Sequence, residues 1–171
     1  TDGLRLALNV AAMLIAFVAM IAVINLMLGA LGRVGLFHDA LLALGIEKLS
    51  LELIFGWLLA PIAWTMGVPW KECAFFGTLL GEKLVVTEFI AYVSLARDIH
   101  AAQPHLNERS SEIATYALCG FANFPSIAIQ IGGLTALAPS RRSEFASLGL
   151  RAMFAGAFAS WMTASIAGLF L

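Results

Sequence analysis

Six polar side chains sit in the middle of long apolar runs: Glu82, Lys83 and Glu88 within Pro69–Arg97, and Asn123, Ser126 and Gln130 within Ser110–Ala138. At the centre of a bilayer an ionised residue costs roughly 2.5–3.5 kcal/mol on insertion scales. Each of the three charges must therefore be paired, protonated or turned toward water. Lys83 can neutralise Glu82 or Glu88 but not both, so one carboxylate is left over. A ligand carrying hydroxyl groups would satisfy it, at about 1.5–3 kcal/mol per charge-assisted hydrogen bond. Desolvation could instead keep it protonated, as a proton carrier.

Pro125 has no N–H, and its ring crowds the carbonyl four residues back, so a helix passing through it is expected to break and to free the Phe121 carbonyl. Asn123, Ser126 and Gln130 follow at i, i+3 and i+7 on one face. Donors and acceptors beside a helix break at membrane depth are the means by which transporters with discontinuous helices hold a solute. The plainer reading is a kink whose polar side chains bond a neighbouring helix.

No enzymatic constellation competes with these groups. The chain contains no G-x-S-x-G, H-E-x-x-H, P-loop or G-x-G-x-x-G arrangement, and His38, His100 and His105 fall in expected loops. Asp98, His100 and His105 could bind a metal, but their mixed spacing in a wet loop reads better as surface solvation. Phe89 and Tyr92 read as core or interface aromatics. Cys73 and Cys119 lie in apolar surroundings as small buried hydrophobes. No catalytic residue, cofactor or metal is expected.

The elements that carry these groups belong to a membrane. Of 171 residues 61% are hydrophobic and only 12% charged, with net charge −1 and mean hydropathy +0.91, and no basic tract points to a nucleic-acid partner. Leu6–Leu31 is uncharged, which exceeds the ~20 residues of a spanning helix. Gly29, Gly32 and Gly35 then end it before a polar connection. Leu49–Val68 carries Glu52, Pro61 and Trp residues at both ends, and is expected as a Pro-broken interfacial helix. Pro69–Arg97, with charges at its centre, is expected to turn back near Gly81 as a re-entrant hairpin. Ser110–Ala138 and Phe145–Leu171 are long enough to span. Between them Arg141 and Arg142 predict a cytoplasmic loop, which leaves the C-terminus and the 97–109 loop outside. Gly156, Ser160, Ala164 and Gly168 form one small-residue stripe, and Ala128, Gly132 and Ala136 another, each expected to pack closely. The domain order is a transmembrane helix in 1–35, a connection with an interfacial helix in 36–68, the hairpin in 69–98, a broken helix in 110–138 and a last span in 142–171. The fold class is therefore an all-α membrane protein.

The segments Gly81-Glu-Lys-Leu-Val-Val-Thr-Glu-Phe-Ile-Ala-Tyr92, Ala117-Leu-Cys-Gly-Phe-Ala-Asn-Phe-Pro-Ser-Ile127, Gly132-Gly-Leu134 and Ala138-Pro-Ser-Arg-Arg142 resemble the C-terminal half of the concentrative nucleoside transporters over nearly the whole chain. The resemblance implies half of an inverted-repeat transporter: a cation-coupled, most plausibly sodium-coupled, nucleoside importer working by alternating access as a homotrimer in the bacterial inner membrane. It implies that Glu88, Asn123 and Ser126 bind the ribose, with Phe121 as an aromatic wall. It also implies that Leu6–Leu31 belongs to a trimer scaffold, and the hairpin and last two spans to a moving transport domain. Thr87 stands where the family usually has Asn, and Pro125 where Ser is common. The family's first hairpin and first broken helix, with the nucleobase contacts and most of the sodium site, have no counterpart here. The chain is thus expected to be part of a longer protein, or else unable to transport alone. The rival expectation is a non-transporting membrane assembly subunit whose polar residues are interhelical contacts.

Overall fold

The computed structural model of the chain describes residues 2–33, 38–39, 41 and 49–171. Among them the regular structure is helical throughout: α1 (Asp2–Leu31), α2 (Leu51–Thr65), α3 (Trp70–Val85), α4 (Glu88–Ile99), α5 (Glu108–Leu118), α6 (Phe124–Leu137), a 3-10 turn (Pro139–Arg141) and α7 (Arg142–Gly168). Most of the expected connection, including Gly35, lies outside the described residues. So do many side chains in the first half of the Leu6–Leu31 run, whose backbone is helical. Among the described residues no helix is both long and apolar enough to cross a membrane. Ser110–Ala138 is divided between α5 and α6, and the 27 residues of α7 include Arg142, Glu144 and Arg151.

α2 and α3 pack backbone to backbone. A Cβ on Gly77 would lie 2.2 Å from the Gly56 carbonyl oxygen, and one on Gly81 would lie 2.8 Å from that of Glu52. Small residues four apart let helix axes approach this closely. Gly81 is therefore a packing residue inside α3, and the chain turns later than expected, at Val86–Thr87, where α3 ends and α4 begins. Nor does Pro61 break its element, since α2 continues through it. The buried face of α2, with Gly56, Leu59, Ala60 and Ala63, is held against α3 while Trp57 and Trp64 face outward.

The core lies among α2, α3, α5 and α7, around Phe76, Leu80, Ile113, Leu118 and Trp161. The stripe on α7 packs as its composition predicts. A Cβ on Gly168 would lie 3.1 Å from the Met66 carbonyl oxygen, and one on Gly156 would lie 3.3 Å from Ala122 Cβ. The stripe on α6 does not: a Cβ on Gly132 would meet nothing within 4 Å, and the Ala136 side chain lies outside the described set.

Two side chains tie the helix ends together. Arg109 donates to the carbonyls of Gly67 (2.7 Å) and Gly168 (2.6 Å), joining the ends of α2 and α7 to the start of α5. Asn25 of α1 donates to both carboxylate oxygens of Glu52 (2.9 and 3.0 Å) and accepts from the Leu51 N–H (2.8 Å). This supplies a partner for one orphan donor at the start of α2.

Candidate functional site

Two chain breaks meet at the site. The first is the turn between α3 and α4, where Thr87 is extended (φ −161°, ψ 160°) and its hydroxyl accepts from the Ile90 N–H at 3.4 Å. Thr performs here the N-capping that Asn also performs well. Glu88 follows as the first residue of α4, at the positive end of its dipole, where a carboxylate is favoured.

The second break runs through Cys119–Ala122, between α5 and α6. Gly120 has φ +135°, where a side chain would be strained, and a Cβ there would lie 2.5 Å from Ser160 Oγ. Asn123 is extended and caps α6: its Oδ1 accepts from the Ser126 N–H (2.8 Å), while Ser126 Oγ accepts from the Asn123 N–H (3.2 Å) and donates to the Asn123 carbonyl (2.6 Å). This reciprocal cap satisfies helix-end donors within the segment. Pro125 falls in the first turn of α6, where its missing N–H costs nothing. The break therefore precedes the proline and is made by Gly120 and the Asn123 cap.

The breaks are joined by one hydrogen bond. Asn123 Nδ2, in a residue with 0% exposure, donates to Glu88 Oε2 at 2.9 Å. Glu88 is half-buried, and its Oε1 has no partner among the described residues. Glu88, Asn123 and Ser126 thus form one connected set. Phe121 stands two residues before Asn123, is 53% exposed, and with Ser126 and Gln130 lines a groove of about 500 Å³ between α6 and α7.

The charges pair differently from the sequence expectation. Among the described residues Lys83 forms no ion pair with Glu82 or Glu88. Its Nζ donates to the Ala117 carbonyl, at the end of α5, at 2.8 Å. Glu82 keeps one buried carboxylate oxygen without a partner among the described residues. Phe89 is 69% exposed and so is not a core residue, and Cys119, expected as a buried hydrophobe, is exposed as well.

Away from the breaks, Asp98 organises the 97–109 loop. It accepts from the His105 N–H (2.9 Å), His105 Nδ1 (2.7 Å) and the Leu106 N–H (3.1 Å), and the His105 ring stacks on Phe75 with centroids 4.5 Å apart. Burial alone would raise the Asp98 carboxyl, but these bonds outweigh it and hold the group below its ordinary range. Among the described residues no three His, Cys, Asp or Glu side chains are grouped to hold a metal ion.

The family model described as Na+ dependent nucleoside transporter C-terminus matches residues 1–168. The uncharacterized transporter YutK of Bacillus subtilis (strain 168) is 48% identical over 100% of this chain and 39% of its own length. Sodium/nucleoside cotransporter 1 of Mus musculus is 41% identical over 98% of this chain and 26% of its own. A solved structure of a CNTnw variant in an intermediate 3 state superposes with a TM-score of 0.86 at 41% identity, covering 99% of this chain and 40% of that one. The chain therefore spans well under half the length of the proteins it matches.

Proposed function

This chain belongs to the concentrative nucleoside transporter family, over that family's C-terminal region, and from this we propose that it supplies the ribose-binding half of a sodium-coupled nucleoside symporter. The family is one of integral membrane transporters rather than enzymes. Glu88, Asn123 and Ser126 hold the ribose and Phe121 forms a wall of the same pocket. The α3–α4 pair is the re-entrant element of a moving domain and α1 is part of a fixed trimeric scaffold, so that alternating access carries the two breaks across the membrane.

The observation carrying this reading is the Glu88–Asn123 bond across two breaks, with Glu88 Oε1 unclaimed among the described residues. A carboxylate oxygen and an amide donor side by side match a vicinal diol, which can donate to the first and accept from the second. Because the oxygen is held in place by the two helix ends, little reorganisation accompanies binding.

One observation favours the rival, an assembly subunit with polar interhelical contacts: the Glu88–Asn123 bond is itself a contact between two helices. Liposome reconstitution separates the readings. Sodium-dependent accumulation of labelled uridine is expected, and its absence under a maintained sodium gradient, with none under a proton gradient either, rejects transport. Accumulation under the proton gradient alone rejects the choice of ion and assigns proton coupling.

A further inference from the structure

The turn at Val86–Thr87 is fastened to both sides of the Cys119–Ala122 break. On one side Glu88 accepts from Asn123 at the start of α6. On the other, Lys83 in the last turn of α3 donates to the Ala117 carbonyl at 2.8 Å, in the last turn of α5. The two contacts differ in character. The first is half-buried and leaves an oxygen for a ligand, whereas Lys83 is wholly buried, with 0% exposure.

A buried ammonium needs compensation, and Lys83 finds it away from the acids. The end of α5 offers carbonyls with no intrahelical partner and the negative end of a helix dipole. The ammonium also borders the break itself, because a Cβ on Gly120 would lie 3.8 Å from Nζ. Stability is a poor account of such a residue, since the desolvation of a buried ammonium offsets much of what its bond to a single carbonyl contributes. A methionine would fill the space but could not hold a carbonyl at a set distance.

We propose that Lys83 is a positioning residue for the sugar site: by capping α5 it holds the α5–α6 break in register with the α3–α4 turn, so that Glu88 and Asn123 are aligned before a ribose arrives. This rests on the reading of Glu88 and Asn123 as ribose-binding groups. Lys83 does not touch the sugar, and its effect on the sugar passes through the two backbone breaks.

The experiment measures equilibrium binding of uridine and of 2′,3′-dideoxyuridine to the purified full chain as the cell makes it, together with its thermal midpoint. In the unsubstituted protein uridine binds more tightly. Lys83→Met is expected to keep the midpoint at or above the original value while the preference for uridine falls tenfold or more. A retained preference overturns the inference, and so does an equal loss of both ligands accompanied by a lower midpoint. If Lys83→Met does not fold, Lys83→Gln is read in the same way. If neither folds, Lys83 is a folding determinant and the positioning role is overturned. Equal binding of the two ligands by the unsubstituted protein is a separate result, visible before any substitution, and it removes the ribose reading beneath.

Discussion

Glu88 and Asn123 are 35 positions apart in sequence, and their side chains meet at 2.9 Å because each begins a helix that follows a break. Glu88→Gln removes the charge from this pair and leaves its shape. We predict that uridine affinity falls about 10- to 100-fold, the equivalent of one charge-assisted bond, while a 2′,3′-dideoxy nucleoside changes little. Titration calorimetry with both ligands decides, and unchanged uridine affinity would remove Glu88 from the site.

Asn123→Asp separates capping from recognition. Asp caps a helix as well as Asn does, but it would set a second carboxylate at hydrogen-bond distance from Glu88, and two such groups cannot both ionise at low cost. Uptake is expected to be abolished near neutral pH, with a thermal midpoint that falls there and returns toward that of the parent protein as the pH is lowered toward about 4, since one of the two carboxyls must hold a proton. Retained uptake would show that the amide N–H pair is not used.

Gly77→Ala tests the α2–α3 contact. The added methyl would lie 2.2 Å from the Gly56 carbonyl oxygen, which is backbone and cannot rotate away, so the helices must separate. Overpacking of this kind costs about 1–3 kcal/mol. A clear drop in the thermal midpoint in detergent is expected, and an unchanged midpoint would show that the two backbones are not in contact.

Asp98 gives a pH dependence. Its folded-state carboxyl lies below the ordinary range, so it binds protons less readily folded than unfolded. The stability it contributes is present above the unfolded value of about 4 and is lost as pH falls through the lower folded value. The midpoint difference between the parent protein and Asp98→Asn should thus be full at pH 7 and shrink below about pH 4. A constant difference across that range would count against the ionised carboxylate.

The polar content of the site was legible because Glu88, Asn123 and Ser126 are costly at membrane depth whatever the backbone does around them. The positions of the breaks were less legible. Pro125 is the loudest helix breaker in its segment, yet a proline in a first turn is harmless, and Gly120 with the Asn123 cap makes the break instead. Gly81 reads as a turn, but with Gly77 it forms a four-residue packing repeat whose partner, Gly56 and Ala60, stands in the same sequence. That pairing was available as a signal. The destination of Lys83 was not, because nothing in the spacing of Lys83 and Ala117 says that α5 ends beside α3. Asn25 likewise is one amide in an apolar run until α2 is placed against it.

The glycine contact between α2 and α3 has a mechanical consequence. With Gly56, Gly77 and Gly81 at the contact the two backbones meet almost directly, and little side-chain volume is available there to repack. The same end of that pair leads into Glu88 and carries Glu52, which is gripped by Asn25. The Asn25 clasp therefore ties α1 to the end of the α2–α3 pair that carries the turn.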